Sequence, residues 1–177
     1  YLFPPYTSAA CQTYFNLIGS LMDIADQYNM KVIFLASEAS GCYTNSQGSQ
    51  ICYTDRGSSL TEATDYALYL SELAKVLKDK PALLAYDLYN EPIWEVWQTG
   101  RNMDKNKETV CEYVSLWYDA VKSQDPNHLI TLGGWDFSDV FNWDTGVMKL
   151  DFVSIHIYPG PDDNGNLANS PLIREAI

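Results

Sequence analysis

Four short apolar runs in this chain end on residues that could do chemistry: Ala36-Ser37-Glu38, Tyr89-Asn90-Glu91-Pro92, Gly134-Trp135-Asp136 and His156-Ile157-Tyr158-Pro159. The second is the most specific. Glu91 comes just after Ala82-Leu83-Leu84-Ala85-Tyr86-Asp87-Leu88, which reads as a buried strand and places the carboxyl at the rim of a core. Partial desolvation there disfavours the charged form and holds the proton to higher pH. That suits a general acid protonating a departing glycosidic oxygen. Asn90 beside it can hydrogen-bond a hydroxyl next to the reacting carbon, and Pro92 turns the chain away. Alone, the tripeptide reads equally well as a polar exit from a strand. Four such ends in succession point to a shared cleft.

The elements that must position those ends follow an alternating pattern. From about Ser8 to Tyr28, Tyr14, Ile18, Leu21 and Ala25 recur at helical spacing. Lys31 to Ala36 reads as a fully buried strand, short, continuous and β-rich. A polar loop carrying Cys42 and Cys52 follows. Ser59 and Glu62 form a capping box for a second helix whose buried stripe is Tyr66, Leu70, Leu73 and Leu77, ending near Lys78-Pro81. After the Ala82–Leu88 strand, a third helix spans about Lys105 to Ser123, with Val110, Val114, Trp117 and Val121 in register. Asp125-Pro126-Asn127 makes a turn into a strand from His128 to Gly133. A short helix is expected near Ser138 and a strand over Asp151 to Ile157. Ser170-Pro171 opens another helix shortly before Ile177. Buried strands alternating with helices imply a parallel sheet covered by helices, either a closed (β/α)8 barrel or a doubly wound sheet. A full barrel takes about 250 residues. With 177 residues, the chain is expected to be an interior portion of one.

Composition narrows the partners. Eleven Lys and Arg against 23 Asp and Glu give a net charge of −12, which disfavours nucleic acid and anionic membranes. Aromatics at 14% suit a ligand bound by flat apolar faces. No apolar run approaches the roughly 20 residues that span a bilayer. Tyr1-Leu2-Phe3-Pro4-Pro5 lacks the charged start and apolar stretch of a signal peptide, so the chain reads as mature, processed or cut from something longer. Four Cys permit three pairings. Cys42 and Cys52 bracket a polar loop, and a bridge there would contribute about 3 kcal/mol and imply an oxidising compartment.

Ala85-Tyr86-Asp87-Leu88-Tyr89-Asn90-Glu91-Pro92 resembles the fourth-strand motif of clan A glycoside hydrolases, especially the cellulase-like glycoside hydrolase family 5. Ser154-Ile155-His156-Ile157-Tyr158-Pro159 resembles that family's sixth-strand His-x-Tyr motif. The resemblance spans nearly the whole chain and implies a (β/α)8 TIM barrel, with residues 1–177 covering about strands three to six and their helices. It also implies a retaining glycosidase acting on β-linked glycans. Glu91 would be the acid/base and Asn90 the ligand of the sugar 2-hydroxyl. His156 and Tyr158 would line the catalytic subsite and orient the nucleophile. Two departures stand out. The family's nucleophile is a Glu at the end of the seventh strand, beyond this sequence, and Ser37-Glu38 replaces a His-bearing third-strand motif.

Trp94, Trp97, Trp135 and Trp143 lie in loops after strands, where an indole could stack on a sugar; Trp94 and Trp135 are the favoured platforms. Trp117 belongs to a helical stripe and to the core. His128 opens its strand at the face opposite the cleft, which suits a structural role. Asp136 and Glu38 are further candidate cleft carboxylates. No Cys/His spacing matches a metal site, no glycine-rich phosphate loop or serine elbow occurs, and no cofactor is implied. The expected partner is a polysaccharide or oligosaccharide, and the expected location is extracellular or periplasmic. The rival readings are a non-catalytic carbohydrate-binding barrel remnant, another barrel enzyme using Glu91 for proton transfer, and a structural scaffold.

Overall fold

Cys11, Phe15, Ile18 and Met22 repeat at three- and four-residue intervals, and they form the buried stripe of helix α1 (Ala9–Gln27). A computed structural model of the chain describes residues 5–36, 42–44, 50–52, 60–90, 107–134 and 145–156. The α1 amide of Cys11 donates to the capping Ser8 Oγ at 3.4 Å. At the other end, Asn29 adopts a φ of 54°, letting its own amide reach Asp26 O and that of Met30 reach Ala25 O, both at 2.9 Å. That is a left-handed helix stop. The buried face differs from the expected one: Tyr14 and Leu21 are 42% and 61% exposed. Both stripes share Ile18 and satisfy the helical period. Phe15 decides between them by packing against Tyr69, ring centroids 5.4 Å apart.

Strand β1 (Val32–Leu35) follows. A short antiparallel hairpin, β2 (Cys42–Thr44) and β3 (Gln50–Cys52), occupies what reads as loop in the sequence. Then come α2 (Leu60–Leu77), β4 (Leu83–Asn90), α3 (Lys107–Lys122), β5 (Leu129–Gly134), α4 (Thr145–Met148) and β6 (Ser154–Ile155). Ser59, Ser138 and Ser170-Pro171 lie outside the described residues. The main sheet runs β1-β4-β5-β6, with every neighbouring pair parallel. Strand order follows chain order without reversal. A doubly wound sheet needs a switch point where the order turns back; these strands form part of a barrel wall instead.

Two faces follow from the register. Phe34, Tyr86 and Ile130 lie across from one another, as do Leu35, Asp87 and Thr131. The first row joins the core under the helices, with Tyr86 and Ile130 fully buried. On the second face Ile33 is 50% exposed, Leu35 37% and Leu129 41%. Strand β1 is therefore not fully buried as expected. It is the edge of the sheet, and among the described residues nothing covers its inner face.

An aromatic shelf supports the far end of β4. Tyr66 donates its hydroxyl to Leu88 O at 2.6 Å, and Trp117 Nε1 donates to Ala63 O at 2.9 Å. Trp117 stacks on Tyr89 with centroids 5.8 Å apart and meets Tyr66 edge-on at 5.1 Å. The core role expected of Trp117 holds. At the opposite end, buried Asp125 accepts from Tyr86 Oη at 2.8 Å and lies 2.6 Å from His128 Nδ1. Burial alone pushes the Asp125 carboxyl up, but the His128 and Tyr86 hydrogen bonds outweigh it and hold it low. His128 thus ties the start of β5 to the preceding turn, the structural role expected of it.

Strand β6 is shorter than the expected Asp151–Ile157. Asp151 accepts from the Ile130 amide at 2.8 Å and pairs with Lys122 at 2.9 Å. A side chain has taken a ladder position there, so regular pairing begins only at Ser154. No helix among the described residues is long and apolar enough to cross a membrane.

Candidate active site

Parallel strands bring their C-terminal ends to one edge of the sheet. Asn90 closes β4, Gly133 and Gly134 close β5, and the His156 amide donates to Gly134 O at 2.8 Å as β6 ends. Asn90 and His156, both expected from the sequence, thus reach the same edge.

A bulge sets the direction of the β4 end. Asp87 pairs with Thr131 and Asn90 with Gly133, so Leu88 and Tyr89 together oppose Leu132. In a regular strand, residues three apart point to opposite faces. The extra residue restores the alignment, and Asp87 and Asn90 both match residues on the inner face of β5. Leu88 and Tyr89 are buried, Tyr89 against Trp117.

Asp87 is 7% exposed and accepts from the Gly133 amide through Oδ1 at 3.0 Å. A Cβ on Gly133 would lie 2.8 Å from His156 Nε2 and 3.1 Å from Asp87 Oδ2. A side chain there would force the imidazole or the carboxylate to shift, so glycine is what lets both close on the strand. Burial pushes the Asp87 carboxyl up, against the Gly133 amide, the charge of His156 and the Tyr89 amide, to about 6. The site's floor therefore holds a carboxyl that changes charge in mildly acidic solution.

Glu91, Trp94, Trp97, Trp135, Asp136, Trp143, Tyr158 and Glu38 lie outside the described residues. Asp87 and Gly133 went unnoticed in the sequence as site residues. One signal was available: an acid inside an otherwise apolar strand must find partners to be tolerated. Among the described residues no group of three or more His, Cys, Asp or Glu is arranged to hold a metal ion.

Residues 3–171 match the cellulase family, glycosyl hydrolase family 5. The chain belongs to glycoside hydrolase family 5. The family-5 match takes in all four parallel strands and both segments that bear candidate residues, Asn90-Glu91-Pro92 and His156-Ile157-Tyr158. Among curated relatives, a probable mannan endo-1,4-β-mannosidase C of Aspergillus terreus is 28% identical over 114 residues, 53% of this chain and 28% of that protein. A putative mannan endo-1,4-β-mannosidase 4 of Arabidopsis thaliana is 39% identical over 56 residues, 32% of this chain and 12% of that protein. Among solved structures, the β-1,4-mannanase of the sea hare Aplysia kurodai superposes with a TM-score of 0.61 at 19% identity, over 83% of this chain and 51% of that one. The β-mannanase of the mussel Mytilus edulis gives 0.61 at 16%, over 86% and 52%. At these identities the likeness is one of fold, the family-5 (β/α)8 barrel. The chain spans about half the length of these structures and less of the curated relatives.

Proposed function

We propose that the protein carrying this chain is a retaining glycosidase of family 5 that cleaves β-1,4-linked mannan, and that residues 1–177 are part of its catalytic barrel. The observation that carries the reading is the meeting of Asn90 and His156 at one sheet edge within a family-5 chain. Glu91 is the next residue after Asn90. In the first step Glu91 protonates the departing glycosidic oxygen while a second carboxylate attacks the anomeric carbon and forms a glycosyl-enzyme. In the second step Glu91 takes a proton from water as the water oxygen attacks the anomeric carbon, which breaks the bond to the second carboxylate and releases the sugar. The second carboxylate stands about 5–5.5 Å from the first in such enzymes, and it comes from sequence outside this chain. Asn90 holds the 2-hydroxyl, His156 and Tyr158 line the catalytic subsite, and Trp94 and Trp135 offer faces for neighbouring sugars. Mannan is favoured over other β-glycans by the names of both curated relatives.

The test is hydrolysis by the full-length protein, with the first anomer released followed by proton NMR. Retention predicts the β-anomer first, and mannan is expected to be turned over at least about tenfold faster than cellulose or xyloglucan, a difference of roughly 1.4 kcal/mol in transition-state binding. An α-anomer first would reject the double displacement. Faster turnover of cellulose would reject mannan.

The proposed location is outside the cytoplasm, on the strength of one register pair. Cys42 lies directly across from Cys52 in the hairpin. Residues so opposed have Cα atoms about 4.5–5.5 Å apart, inside the roughly 4.4–6.8 Å that a disulfide spans. Cys11 and Cys111 are both buried in the core. A digest of the protein kept from reductant is expected to yield a cross-linked Cys42–Cys52 peptide, with Cys11 and Cys111 alkylated only after unfolding. Alkylation of all four without reductant would remove the support for an oxidising compartment.

A further inference from the structure

Asp87 is an acid that the proposed reaction does not use, buried in the barrel wall beneath its open edge. A buried carboxylate is costly unless both oxygens find partners. Asp87 Oδ1 accepts from the Gly133 amide at 3.0 Å, and the Tyr89 amide also hydrogen-bonds the carboxylate. The other oxygen, Oδ2, borders the space that Gly133 leaves empty, and so does His156: the glycine's Cβ position is 3.1 Å from Asp87 Oδ2 and 2.8 Å from His156 Nε2. The neighbours of Asp87 in register, Leu35 on β1 and Thr131 on β5, cannot ionise. Among the described residues, His156, just after β6, is the ionisable group that acts on it.

We propose that Asp87 is a positioning residue for His156. Its carboxylate, anchored to β5 through the Gly133 amide, fixes the ring orientation of the imidazole and which edge is presented to the cleft. Asn90 occupies the same face because of the bulge, so one strand holds the sugar ligand and orients the histidine that works beside it. This rests on the reading that His156 lines the catalytic subsite, and the experiment has an arm that does not depend on it.

In that arm the Gly133 amide resonance of the full-length protein reports the ionisation of Asp87 as pH is varied. The transition is expected near the value of about 6 to which the carboxyl is raised. In His156→Gln it should move to higher pH, because the imidazolium that favours the carboxylate is gone. A midpoint that ignores His156 overturns the proposal, whether or not the protein hydrolyses anything. The second arm measures kcat/KM. Asp87→Asn keeps an acceptor for the Gly133 amide and removes the charge, and it is expected to cost roughly tenfold, within the usual coupling of contacting residues. Placed in His156→Gln, the same change should cost nothing further. Additive losses would show that Asp87 acts independently of His156 and overturn the proposal. Absence of hydrolysis by the unaltered protein would instead sink the glycosidase reading and leave the amide titration to decide about Asp87.

Discussion

Glu91→Gln in the full-length protein is expected to lower turnover of an oligosaccharide by roughly 10²–10⁴, the usual contribution of general acid–base catalysis. Glutamine keeps the shape and polarity of the side chain, so substrate binding should change little and the loss should fall on kcat. The two steps of the reaction respond differently. With a sugar as leaving group, the oxygen cannot depart without a proton, and the first step slows. With an activated aryl leaving group the first step needs no acid, and the remaining defect lies in the attack of water on the glycosyl-enzyme. A burst of released aryl alcohol followed by slow turnover is the expected signature. A loss under about tenfold on the unactivated substrate would remove Glu91 from the acid/base role.

Trp117→Ala is expected to destabilise the protein by about 3–5 kcal/mol, the usual range for emptying a large aromatic site in a core. The indole is 2% exposed and does three things at once. It stacks on Tyr89, meets Tyr66 edge-on and donates to Ala63 O. Alanine leaves a cavity and a buried carbonyl without its donor. Trp117→Phe keeps a ring but not the N–H, and should cost about 1–3 kcal/mol. Denaturant unfolding of the full-length protein measures both. A change below about 1 kcal/mol for alanine would mean that the shelf beneath Tyr89 is not close-packed. Because Tyr89 immediately precedes Asn90, turnover should fall as well, even at temperatures where the alanine variant remains folded.

Much of this architecture was readable from residue order. The stripe Tyr66, Leu70, Leu73 and Leu77 is buried as its spacing requires, because an amphipathic helix on a sheet has one apolar side to offer. Strand β4 was legible for a related reason: an unbroken apolar run has few places to go but between helices and neighbouring strands. Helix α1 was only half legible. Its period was clear, but two apolar stripes satisfied it, and the choice depended on Tyr69, far along the chain. The shortness of β6 was hidden because Asp151 competes for a ladder position through its side chain, which propensity does not register. Of the candidate residues, Asn90 and His156 could be placed at the sheet edge from sequence because polar residues at strand ends are conspicuous. Asp87 and Gly133 were not, because their significance exists only across strands. A carboxylate inside an apolar run signals that a partner exists without saying where.

The bulge in β4 has a consequence for how this segment can vary. Leu88 and Tyr89 stand where β5 has Leu132 alone, so the strand changes phase just before its polar end. Their identities are constrained only as strongly as packing constrains any core residue, and another apolar pair of similar volume could serve. Their number is constrained absolutely. Removing one residue would turn Asn90, and the chain leaving it, by half a pleat toward the helices, whatever side chains remained. In this strand, length is a stricter inheritance than sequence.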